Sequence, residues 1–99
     1  MKTLNYLAVV IDPRNPTDGE IILAGLGEIE EEATTMAQQF WRPGKLLFSF
    51  SIKDRNRVRS MLLSFLRENN IVGLQAQTIA DGVAEAILHV IQKMKNQKP

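Results

Sequence analysis

Trp41-Arg42-Pro43-Gly44-Lys45-Leu46-Leu47-Phe48-Ser49-Phe50-Ser51-Ile52-Lys53-Asp54-Arg55-Asn56-Arg57-Val58-Arg59 runs from turn to strand to turn to helix, and it carries six of the twelve Lys and Arg side chains of this 99-residue chain. Between Lys45 and Ile52 the pattern has a period of two. Leu46, Phe48, Phe50 and Ile52 share one face, and Leu47, Ser49 and Ser51 share the other, as side chains of a strand must. Pro43 and Gly44 stop the segment before it. Lys53-Asp54 ends the alternation and places Asp54 to cap a helix over 55–69. In that helix Val58, Met61, Leu62, Phe65 and Leu66 recur at the spacing of one buried face, and Asn69-Asn70 end it.

Upstream of Trp41 the spacing predicts a helix over 29–41, with Ile29, Ala33, Met36 and Phe40 as a narrow apolar stripe. Glu30, Glu31 and Glu32 fall in its first turn, where acidic groups complement the positive end of the helix dipole. Glu20 to Leu26 reads as a strand that Gly25 and Gly27 weaken at its end. Residues 4–11 read as a strand buried on both faces. Asp12 to Gly19, with two prolines and a closing Asp18-Gly19, is a loop. Downstream, 71–77 reads as a short edge strand, and Thr78 caps a last helix that runs to about Lys95. The expectation is a single α+β domain over 1–99 in the order β-β-α-β-α-(β)-α. Helices pack on one face of a three- or four-stranded sheet.

Composition narrows the function. The chain has no Cys, which excludes disulfides, thiol nucleophiles and thiolate metal sites. The apolar run Tyr6 to Ile11 is too short for a secretory core, and no run is long enough to span a bilayer. A cytoplasmic protein without membrane association is expected. Charge is unevenly placed: residues 1–41 carry two basic and seven acidic side chains, residues 42–99 ten basic and four acidic. Such polarity can steer a partner or draw the two halves of one fold together.

Few residues offer chemistry. The single His, His89, has only Glu85 as a local partner at i−4, a common pairing on a helix surface. Gly25-Leu26-Gly27 lies between a strand and a helix, as a dinucleotide turn does, but Glu30 stands at the third glycine position and three glutamates there repel phosphate. Asp12 and Asp18 lack the regular oxygen spacing of a calcium loop. No catalytic residue, metal or cofactor is assigned, and a non-enzymatic interaction or regulatory protein is expected.

Two binding surfaces are expected. The last helix is apolar around half its circumference or more: Ile79, Val83, Ala86, Val90 and Met94 form one face, which Ala80, Ala84, Ile87, Leu88 and Ile91 widen. A helix so broadly apolar marks an interface. A homodimer through Ala84, Leu88 and Ile91, joined by Leu63 and Trp41, follows. The alternative is a nucleic-acid or acidic protein partner held by Arg42, Lys45, Lys53, Arg55, Arg57 and Arg59. These cations cluster at the two ends of a strand whose Phe48 and Phe50 belong to the core, so the rings are not free to stack on bases.

Overall fold

Tyr6 to Ile11 is aliphatic on both alternations, and it becomes the central strand. In the computed structural model, which describes residues 4–14 and 22–96, β1 (Tyr6–Ile11) lies between β2 (Ile22–Gly27) and β3 (Leu46–Ser51), antiparallel to both. Helix α1 (Glu30–Gln38) joins β2 to β3. A 3-10 turn over Ile52–Arg57 leads into α2 (Val58–Glu68), and α3 (Gly73–Asn96) follows. The fold is α+β in the order β-β-α-β-α-α.

The two faces of β1 have separate cores. Leu7, Val9 and Ile11 join Phe48 and Phe50 of β3, Val58, Leu62 and Leu66 of α2, and Ala76, Ile79, Ala80, Val83, Ala84, Ile87 and Ile91 of α3. Each large aliphatic side chain so buried contributes about 1.5–3 kcal/mol. Phe48 stacks on Phe50 with ring centroids 5.8 Å apart and meets Phe65 of α2 at 5.1 Å. On the opposite face Ala8 and Val10 pack against Ala33 and Ala37 of α1, with Tyr6 and Leu47 at the margin. The sheet is therefore covered on both sides, not on one as the sequence reading had it. The physical reason lies in β1: Ala8 and Val10 are apolar as well as Leu7 and Val9, so neither face can be left to water.

α1 sits closer to β2 than a helix usually sits to a sheet. A Cβ on Gly25 would collide with the carbonyl oxygen of Ala33, and one on Gly27 would lie 2.7 Å from Cβ of Glu32. Gly25 also has φ of +96°, in the region L side chains avoid. Here β2 carries a bulge: Leu26 pairs with Leu7 and Leu23 with Val9, so Ala24 and Gly25 together oppose Ala8. The two glycines give the helix room. They do not merely weaken the strand.

That close seat changes which side of α1 is buried. At about 100° per residue, Ala33 and Ala37 point to the sheet and are fully buried while Met36 lies on a flank; Ile29 precedes the helix and Phe40 follows its end. Ile29, Met36 and Phe40 are exposed, at 53%, 48% and 46%. Of the expected stripe only Ala33 is buried: the helix is shorter than 29–41 and so leaves Ile29 and Phe40 outside it, and small side chains alone fit over the glycines.

Other boundaries shift for local reasons. Asp54 does not cap α2; it lies inside the 3-10 turn, and Ser51 Oγ accepts the Lys53 amide at the turn's start. α2 ends as expected: Asn70 has φ of +66°, with Asn70 N–H to Arg67 O at 3.0 Å and Ile71 N–H to Leu66 O at 2.9 Å. This is a Schellman closure, and Ile71 packs back on the core beside Leu66. Residues 71–77 form no fourth strand. α3 begins at Gly73, whose φ of +70° turns the chain, and the Thr78 hydroxyl donates to Leu74 O at 2.9 Å within the helix instead of capping it. Glu20 and Ile21, and the end of the Asp12–Gly19 loop, lie outside the described residues.

Candidate interaction surface

β3 is an edge strand, and among the described residues it pairs with β1 alone. Its register is unbroken from Leu46↔Ile11 to Ser51↔Tyr6. The Ile52 amide donates to Asn5 O at 2.8 Å, which fixes the phase of the ladder. Leu46, Phe48 and Phe50 turn their backbone groups to β1, and Leu47, Ser49 and Ser51 turn theirs outward. The outward amides of Leu47, Ser49 and Ser51 have no backbone partner among the described residues.

Both sides of this edge are hollow. On the α2 side an open depression of about 390 Å³ is lined by Leu47, Phe48, Ser49, Met61, Ser64, Phe65 and Glu68. On the α1 side one of about 380 Å³ is lined by Gln38, Trp41 and Leu47. Trp41 is held in place because its indole N–H donates to Lys45 O at 2.9 Å. The β2 edge differs, since its bulge and the positive φ at Gly25 break the regular spacing that a pairing strand needs. Natural edge strands are blunted by bulges, prolines or charges. From Leu46 to Ser51, β3 has none of these.

The structure separates the expected basic residues. Arg42 lies at the start of β3, where its guanidinium donates to Gln39 O at 3.3 Å and Trp41 O at 2.8 Å and so closes the C-terminal end of α1. Lys45 stands at the same end. Lys53, Arg55 and Arg57 lie in the 3-10 turn at the other, with Arg55 donating to Ile52 O at 3.3 Å. Arg59 of α2 is ion-paired with Asp81 of α3 and does not meet Glu30–Glu32. β3 spans about 20 Å, so the six cations form two groups and not one patch. Arg14, which the sequence reading did not single out, joins the first group: a Cβ on Gly44 would stand 2.5 Å from its Nη2, so its guanidinium rests on that turn.

The expected interface residues are also divided. Ala84 and Ile91 are buried in the core of their own chain, and Leu63 is half-buried against it. Leu88 is 42% and Trp41 43% exposed. Leu88 borders a groove of about 260 Å³ with Arg55, Asn56, Ile91 and Gln92. His89 and Glu85 are both exposed, and the structure places no hydrogen bond between them. The Asp12 carboxylate accepts the Arg14 amide at 3.0 Å, and Asp18 lies outside the described residues.

Ser49, Met61, Phe65 and Gln38 were not foreseen as surface residues. The signal available was the strand alternation itself, which puts small Ser49 and Ser51 on the face opposite Phe48 and Phe50. What it lacks is strand order, since sequence alone does not say that β3 lies outermost. Comparison with known proteins finds no matching family model, no similar curated protein and no similar solved structure.

Proposed function

We propose that the chain is a small non-catalytic interaction protein that binds an extended segment as an added strand on β3. The observation that supports this reading is the regular, uncharged edge of β3 with a hollow on each side. An added strand would satisfy the outward backbone groups of Leu47, Ser49 and Ser51. Its alternate side chains would fall to the Trp41–Leu47 hollow and to the Met61–Phe65 hollow, which is how strand addition obtains affinity from backbone and selectivity from side chains. Among the described residues no helix is long and apolar enough to cross a membrane, and no polar side chain is buried.

The test is selection of peptides from a random displayed library. Selected peptides are expected to slow amide exchange at Leu47, Ser49 and Ser51, and to lose affinity about tenfold or more for Ser49→Pro. That variant removes an outward amide and leaves the bonds to β1. Selected peptides N-methylated along the backbone provide the same test without altering the protein. Binding that is indifferent to both changes would refute strand addition.

Self-association through α3 is a second reading, favoured by Leu88 alone among the three α3 residues expected there. It predicts a dimer in sedimentation that Leu88→Glu converts to a monomer. A monomeric parent protein at micromolar concentration would reject it.

A further inference from the structure

We infer that the segment received by β3 belongs to another protein, is uncharged over about six residues along the strand, and is acidic at both ends. This rests on the interaction reading above and specifies its partner. The layout of charge carries it. Arg14, Arg42 and Lys45 stand at one end of the edge, and Lys53, Arg55 and Arg57 at the other. The ion pair seen among the described residues, Arg59 with Asp81, uses none of these six. Acids stand near both groups but off the outer edge. Asp54 is the single acid in the Ile52–Arg57 turn, and Glu28 and Glu30–Glu32 follow Gly27, which pairs with Tyr6 from the far side of β1 as Ser51 does from the near side. At the first end stand Asp12, engaged by the Arg14 amide, and Glu68, on the α2 side of the strand. The partner's acidic group at that end therefore belongs on the α1 side, by Arg42, and the side chain turned toward Glu68 is neutral or basic.

The same charges disfavour a second copy as the occupant. Only Leu47, Ser49 and Ser51 can bond outward, so two β3 strands can meet antiparallel in few registers. A register centred on Ser49 sets Lys45 of each copy opposite Lys53 of the other. A register centred on Phe48 sets Lys53 opposite Pro43, beside Arg42, and Pro43 has no amide to give. Like charges face each other in the first register, and in the second the missing Pro43 amide shortens the ladder; lysines at the ends of an edge oppose such self-pairing. A chain with acidic ends meets the same two groups with attraction.

The experiment uses the full chain and three synthetic peptides that share an alternating valine–threonine centre, ending in glutamates, serines or lysines. Trp41 is the only tryptophan and lines one hollow, so its emission reports occupancy. The glutamate-ended peptide is expected to bind about tenfold more tightly than the lysine-ended one at low salt, with the gap closing as salt rises. Combined Lys45→Glu and Lys53→Glu should remove most of that gap. Amide exchange at Leu47, Ser49 and Ser51 should slow in the complex. Equal affinity for all three peptides, with those amides still protected, overturns the acidic partner and leaves strand addition standing. Absence of protection with every peptide overturns both. Protection in the peptide-free protein that disappears on dilution assigns the edge to a second copy and overturns the inference.

Discussion

Gly25 shows how much one hydrogen in place of a methyl can decide. The Ala33 carbonyl occupies the place a Cβ would need, and φ at Gly25 is +96°. Gly25→Ala is expected to destabilise the fold by about 2–5 kcal/mol, combining overpacking against backbone with left-handed strain. Urea unfolding measures it, and a change below about 0.5 kcal/mol would mean that α1 does not rest on β2 as described. Leu62, fully buried between sheet and α3, should lose about 2–5 kcal/mol on truncation to Ala. Leu74 is equally apolar and 79% exposed; its truncation should stay within about 0.5 kcal/mol. The pair tests burial directly, because the removed group is the same.

At the scale of elements, β1, β3 and α2 could be read from the chain because each has one unambiguous period and an internal stop. Leu46, Phe48 and Phe50 alternate, and Val58, Leu62 and Leu66 repeat each turn. α1 was harder. Its largest apolar residues, Ile29, Met36 and Phe40, suggested the buried face, whereas the buried face is Ala33 and Ala37. Hydrophobicity ranks Phe above Ala, but a helix lying on glycines accepts only small side chains. The helix placement was also open to reading in Ala8 and Val10, which need cover as much as Leu7 and Val9 do. The edge position of β3, and with it the candidate surface, depends on strand order, which no local pattern encodes. Two measurements address elements. Asn70→Gly should leave stability unchanged or raise it by up to about 1 kcal/mol, since φ of +66° suits Gly. Asn70→Val should cost about 1–2 kcal/mol at the same place. In the free protein, the amides of Leu47 and Ser49 should exchange faster than those of Phe48 and Phe50, which β1 holds. Uniform protection along β3 would show its outer edge to be covered.

Across the whole molecule, α3 unites distant parts of the chain. It lies along α2, supplies seven of the described buried residues to the larger core, and carries Asp81 opposite Arg59. Both partners of that ion pair are more than half exposed, at 52% and 60%. Asp81→Asn should therefore cost less than about 1 kcal/mol, with the loss shrinking in high salt. Ile87→Ala removes core and should cost about 2–5 kcal/mol. If the two substitutions cost the same, charge and not packing would be what holds α3 in place.

The order of the elements has a consequence for synthesis. Leu7, Val9 and Ile11 leave the ribosome well before Ile79, Val83, Ile87 and Ile91, with which they share a core. At about 5–20 residues per second, the apolar face of β1 waits several seconds for the helix that completes its cover. During that interval nascent chains are open to chaperones and to one another, and slowing translation between Phe50 and Ile79 lengthens the exposure without changing any residue.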